Sequence, residues 1–173
     1  MNVEALYKLN YGMYIVTSKS NNKINGQMAN TVFQVTAEPP KIAVAINKNN
    51  FTHELISKSK IFAVSILSRK ANMKFIGPFG FKCGRDIDKF EDINFKIGKT
   101  GAPIVLDYSV AYLEVKVLDY LDVGTHTLFI GKVVDCNLIN KDEPMTYDYY
   151  HKVIKGKEPE TAPTYRKKKS KLK

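Results

Sequence analysis

The stretch from Met13 to Asn50, MYIVTSKSNNKINGQMANTVFQVTAEPPKIAVAINKNN, decides the fold. It holds three β-branched, apolar runs, Met13–Ser18, Gln27–Thr36 and Ile42–Asn47, each bounded by Asn, Gly, Ser or Pro clusters. That punctuation predicts an antiparallel meander. Around the middle run, Asn25, Gly26, Gln27, Asn30, Thr31 and Gln34 crowd hydrogen-bonding groups onto a short piece of chain. Polar groups at such density face either the wet side of an antiparallel sheet or a polar ligand.

Working outward, Val3, Leu6 and Leu9 have a weak helical spacing that would cap one end of a barrel. After the meander, Asn50 or Thr52 is placed to cap a helix running to about Ser59, and such a helix start suits an anion. Ile61–Leu67 reads as a buried strand, and Lys70–Ile76 as a short helix ended by Gly77 and Pro78. Phe79–Phe90 reads as a loop rich in Gly and charge, with Lys82, Arg85 and Lys89 against Asp86 and Asp88. By itself such alternation describes a solvated, salt-bridged face. Two long strand patterns, Val110–Leu121 and His126–Ile139, follow, joined by Asp122-Val123-Gly124-Thr125.

With 173 residues, 44% of them apolar and 11% aromatic, the chain suits one domain with a sizeable core, residues 1–165. The net charge of +10 resembles a nucleic-acid signal. Six of those charges, however, fall on Arg166, Lys167, Lys168, Lys169, Lys171 and Lys173, leaving +4 for the body. Residues 166–173 are therefore expected to be a basic, disordered tail, and nucleic acid is not the expected partner. No apolar run is long enough to span a membrane, and MNVEALYKLNYG lacks the order of a signal peptide, so a cytoplasmic protein is expected. Cys83 and Cys136 offer no paired spacing, which predicts free thiols and no metal site.

In order, the pieces VTS, NGQMANT, AEPPKIAVAINK, NFTHELI, FAVSIL, FKCGRDIDKF, GTHTLFIGKV, YYHKVIKGK and TAPTY resemble the flavin-reductase-like family of FMN-binding split barrels. That family includes flavoredoxins and the flavin domains of high-molecular-weight rubredoxins, and the resemblance spans nearly the whole chain. It implies a mainly β, antiparallel, Greek-key split barrel of about six strands with a few short helices, assembled as a homodimer. It also implies FMN as cofactor and NADH or NADPH, or a reduced protein such as ferredoxin, as electron donor. Free flavin, a ferric chelate or rubredoxin would be the acceptor.

The resemblance carries roles to particular positions. Asn25, Gln27, Asn30, Thr31 and Asn47 would contact FMN, the first four along its ring. Thr52, at the helix start, and Lys89, in FKCGRDIDKF, would meet the phosphate, where a lysine acts as a point charge. His126 matches the family's Gly-Asp-His motif, which is associated with the nicotinamide nucleotide, although Thr125 stands here in place of the aspartate. Cys83 is assigned no role.

The final segment, Met145–Tyr165, interleaves Tyr and Lys. Such a pattern also serves single-stranded nucleic acid. The resemblance instead makes it an extended strap that crosses toward the flavin and brings Tyr165 beside it, with Pro159 and Pro163 disfavouring helix. A flavin carrier without turnover, or a pyridoxamine-phosphate-oxidase-like barrel, is the alternative to the reductase.

Overall fold

A computed structural model describes residues 1–166, so residues 167–173 of the expected tail lie outside the described part. The first strands are β1 (Tyr14–Ser20), β2 (Lys23–Ala29), β3 (Val32–Thr36) and β4 (Lys41–Asn47), followed by helix α1 (Phe51–Ser59) and strand β5 (Ile61–Leu67). Helix α2 (Met73–Phe81), the short strands β6 (Phe95–Ile97) and β7 (Pro103–Val105), the long strands β8 (Ser109–Asp122) and β9 (His126–Leu138), and helix α3 (Tyr147–Lys152) complete it.

Seven strands form one antiparallel sheet in the order β2-β1-β5-β8-β9-β4-β3. Its outer strands, β2 and β3, are neighbours in sequence with only Asn30 and Thr31 between them. The sheet must therefore curl until its edges approach without pairing, which makes a split barrel. Register shifts in β8 at Glu114/Val115 and Val117/Asp119 help it bend. The expected meander is thus corrected. The run Gln27–Thr36 is two strands, β2 pairing with β1 and β3 with β4, on opposite sides of the split.

Side-chain alternation fills two cores. On β1, Val16 points into the barrel with Val44, Ile46, Phe62, Val64 and Phe129. Its neighbour Ile15 points outward, to Leu67, Phe75, Phe79 and Phe90 beneath α2. The β6–β7 hairpin covers the outer face too, held where Thr17 Oγ1 donates to the Pro103 carbonyl and Val105 N–H donates to Ser65 Oγ, the latter at 3.1 Å. Both faces of β1 and β5 are consequently buried, and neither is the wet side of a sheet.

Helix boundaries follow capping and burial more than the breakers in the sequence. Asn72 caps α2, its side chain accepting from Phe75 N–H at 3.1 Å. The helix then runs through Gly77 and Pro78 to Phe81, past the predicted stop. Pro78 forfeits a single bond, to Lys74, which burial of Phe75, Ile76 and Phe79 offsets. Met145–Tyr165 is likewise not wholly extended, because Thr146 caps α3 and Tyr150 buries against Tyr147, their rings stacked 6.0 Å apart. Those aromatic faces are spent inside the protein and leave no ladder for bases. The N-terminal turn, Val3–Lys8, is a 3-10 helix with Val3, Leu6 and Leu9 exposed, so it caps no barrel end. No helix of the described residues is long and apolar enough to cross a membrane.

Candidate functional site

A cavity of about 610 Å³ opens at the split, within the range of small-molecule sites. Its walls are β2, the end of β4, the N-terminus of α1, the C-terminus of α2 with the following loop, and residues 157–165. Asn25, Gln27, Asn30, Asn47, Thr52, Lys89 and Tyr165 all line it. Thr31 and His126 sit one layer behind.

Two groups converge on the Asn25-Gly26 backbone. Asn25 Nδ2 donates to Thr52 Oγ1 at 2.8 Å, joining β2 to the first turn of α1. Thr52 has no exposed surface, so it acts on the cavity by orienting Asn25. From the other side the Lys89 ammonium donates to the Gly26 carbonyl at 3.0 Å and, at 3.5 Å, to that of Phe79. Lys89 is only 5% exposed and has no carboxylate partner among the described residues. Burial pulls its pKa from the ordinary 10.5 down to about 8. Two carbonyls leave an ammonium, with its three N–H bonds, short of acceptors.

The N-terminus of α1 adds donors. Asn50 takes the cap position without a side-chain hydrogen bond, and the Phe51 and Thr52 amides have no acceptor among the described residues. Amides at a helix start, with the positive end of the dipole, favour an anion. Arg85 and Lys23 lie over the Phe51 ring at 5.0 and 5.9 Å. On β2, Gln27 Oε1 is buried with no hydrogen-bond partner. Asn47 is turned by its own loop, its Oδ1 accepting from Asn49 N–H at 3.0 Å.

His126 opens β9 opposite Asn47, just after Gly124, whose φ of 91° makes the hairpin turn. Its Nε2 lies 3.1 Å from the Thr161 carbonyl and its Nδ1 2.8 Å from Thr125 Oγ1. A carbonyl only accepts, so Nε2 carries the proton and Nδ1 accepts from the Thr125 hydroxyl. The Thr161 carbonyl thus fixes the tautomer and Thr125 holds the ring in place, whereas an aspartate at that position, able only to accept, would draw the proton to Nδ1. Nearby, His53 Nε2 meets Thr127 Oγ1 at 2.8 Å.

Burial lowers the pKa of both His126 and His53, with Lys48 adding to the effect at His53. In the unfolded chain both take up protons near the ordinary 6.5, before the folded chain does. Their contribution to stability is complete above that pH and is lost as pH falls through it toward the lowered values. The urea midpoint should accordingly drop between pH 7.5 and pH 5.5, and the drop should shrink in the His53→Gln, His126→Gln double variant.

Residues 6–156 match the flavin reductase like domain family. The chain belongs to that family. It is 50% identical over 165 residues to a ferric-chelate reductase (NAD(P)H) of Archaeoglobus fulgidus, covering 95% of this chain and 98% of that one. It is equally 50% identical to a high molecular weight rubredoxin of Moorella thermoacetica, covering 95% of this chain and 72% of the relative. Among solved structures, the flavin reductase HpaC complexed with NADP+ superposes with a TM-score of 0.71 at 28% identity, over 83% of this chain and 89% of that one.

For a flavin reductase like chain, the donor set fits FMN. The orphaned Gln27 Oε1 is an acceptor for an imide N–H, and the under-satisfied Lys89 with the free α1 amides suits a phosphate. Met28, Phe79 and Tyr165 supply apolar and aromatic walls. Met28 and Phe79 carry no sequence signal as lining residues, since their spacing is equally that of core. Tyr147, Tyr150 and Cys83, which also line the cavity, have no such signal either.

Proposed function

We propose that the chain is an FMN-dependent oxidoreductase that draws electrons from NADH or NADPH and delivers them to a small acceptor or a redox protein. The observation that carries this reading is the cavity at the split, where one wall ends in an unpaired amide oxygen and another in a buried ammonium that has no carboxylate partner among the described residues. FMN held there would supply the redox chemistry, the relay of electrons from nicotinamide to acceptor.

The protein's part is to hold and shield. Gln27 and Asn25 orient the polar edge of the ring, and Thr52 keeps Asn25 turned toward the cavity. Lys89 and the α1 amides hold the phosphate. Phe79, Met28 and Tyr165 exclude water. His126 positions the segment around Thr161 and through it the side from which the donor arrives. Hydride transfer needs close approach and little acid or base assistance.

The names of the relatives support NAD(P)H as donor, with a ferric chelate or rubredoxin as acceptor. Free flavin and a ferredoxin-type donor belong to the same reading. The edge strand β3 exposes Phe33 and Val35, and the far end of the β8–β9 hairpin exposes Leu118, Tyr120, Leu121 and Val123. These surfaces support a homodimer. Free thiols at Cys83 and Cys136 support a cytoplasmic setting.

Titrating the protein into FMN while following flavin fluorescence tests the reading. One FMN should be quenched per chain, and Gln27→Leu should weaken FMN and riboflavin alike by about two- to tenfold, the worth of one neutral hydrogen bond to the ring. Absence of quenching would refute it.

A further inference from the structure

Residues 157–165 form the one wall of the cavity that carries no buried side chain. Every residue in the segment is half-buried or exposed, in contrast to the β2, α1 and α2 walls. What holds it is polar: at the α3 end the Tyr150 hydroxyl donates to the Lys157 carbonyl at 2.9 Å and the Tyr147 hydroxyl donates to Glu158 Oε1 at 2.8 Å and lies 3.1 Å from Thr164 Oγ1, while two parallel sets reach it from the barrel. His126 Nε2–H donates to the Thr161 carbonyl at 3.1 Å, and Thr125 orients His126 from the other side. Asn30 Nδ2–H donates to Thr164 Oγ1 at 3.0 Å, and Thr31 orients Asn30 by donating to its Oδ1 at 2.9 Å. One set rises from β9 and the other from the break between β2 and β3. Each is an amide or imidazole aimed at the segment by a neighbouring threonine.

The near end is built as a pivot. Lys155 has a φ of 59° and leads into Gly156, where a Cβ would lie 1.9 Å from the Tyr150 ring. The chain reverses there on the rigid face of α3, with Gly156 N–H bonded to the Tyr150 carbonyl at 3.0 Å. Beyond it Pro159 and Pro163 stiffen the segment. A stiff arm on a fixed pivot, secured at its far end by a few polar bonds and no apolar anchor, opens more cheaply than the packed walls around it.

We propose that residues 157–165 are a hinged gate over the cavity, latched by His126 and Asn30, and that its opening admits and releases FMN. This rests on the cavity being the FMN site and adds to it what sets the rate of cofactor exchange. His126, Asn30, Thr125 and Thr31 are then positioning residues whose shared object is the gate.

The test compares full-length wild type with Thr164→Val and His126→Asn in two measurements. In stopped-flow fluorescence, a loosened gate accelerates both association and dissociation of FMN, by about tenfold each, so that Kd moves by less than either rate. A fixed wall that merely touches FMN would instead leave association unchanged and raise dissociation alone, which would overturn the proposal. In hydrogen exchange of the protein without FMN, amides of residues 157–165 should exchange faster in both variants while β4 and β9 keep their protection. Equal exchange in wild type and variants would also overturn it. Because the exchange measurement needs no flavin, a protein that failed to bind FMN would refute the cofactor reading while the latch was still being read. Thr164→Val keeps the shape of a half-buried side chain and removes only its bonds to Asn30 and the Tyr147 hydroxyl, so its result stands if His126→Asn proves unstable.

Discussion

Replacing Lys89 with Met weakens FMN about tenfold or more and riboflavin by no more than a few-fold. A hydrogen bond to a charged group is worth about 1.5 to 3 kcal/mol, so loss of the ammonium alone costs roughly tenfold or more in affinity. Thr52→Val, which frees the buried Asn25 amide to turn away from the ring, should instead weaken FMN and riboflavin alike. Riboflavin lacks the phosphate, so the contrast between the two ligands isolates that end of the site. Competitive fluorescence titration measures both, and equal weakening would place Lys89 elsewhere.

The same lysine makes a prediction for stability, and the sign is opposite. With its pKa near 8 in the folded chain and 10.5 when unfolded, the buried ammonium carries its full penalty below pH 8 and sheds it as pH rises toward 10.5. That difference corresponds to on the order of 3 kcal/mol. FMN-free protein should therefore gain stability from pH 7.5 to pH 10, and Lys89→Met should be more stable than wild type at pH 7.5 with less of that rise. FMN affinity should move the other way, falling as pH climbs through 8, because Lys89 must then regain a proton to meet the phosphate. A group that costs the fold and serves the ligand is a reasonable mark of a binding residue.

Glu114 is the contrasting buried ion. It is 1% exposed and also lacks a charged partner among the described residues within salt-bridge distance, yet it is satisfied inside the chain. Its carboxylate accepts from Lys99 N–H at 3.0 Å, and from Thr100 N–H and Thr100 Oγ1 at 2.8 Å each. Those bonds pin the turn between β6 and β7. Glu114→Ala should cost about 3 kcal/mol in urea denaturation by stranding three donors, while leaving FMN affinity unchanged in the folded protein. A loss of affinity at full stability would show that the outer hairpin communicates with the site.

How much of this was legible in the residues depended on whether the signal was local. Ile61–Leu67 is apolar apart from Ser65, with a lysine before it and a serine after it, and β5 occupies those residues. The break at Asn30-Thr31 was not legible, since neither residue is a Gly or Pro and Ala29 and Val32 on either side fit a strand. Its cause is closure of the sheet, which no window of sequence contains. β6 and β7, three residues each, are shorter than any period that identifies a strand. At the site, the polar cluster from Asn25 to Thr31 stood out by its density, which by itself fits a wet sheet face as well as a ligand, and the family resemblance decided between them. Phe79 and Met28 did not, because an apolar residue facing a flavin-sized cavity has the pattern of one facing a core. The bond from His126 to Thr161 joins residues 35 apart and depends on a backbone carbonyl, which carries no side-chain signature.

The central claim is that the cavity at the split holds FMN where a reduced nicotinamide reaches it. Mixing FMN-loaded protein with NADH or NADPH under anaerobic conditions, and following the flavin absorption band in a stopped-flow instrument, tests this most directly. The band should bleach with at least one of the two donors, at a rate that saturates with donor concentration. A band that persists with both donors at every concentration, yet disappears on adding dithionite, would contradict the account and leave a flavin carrier in place of a reductase.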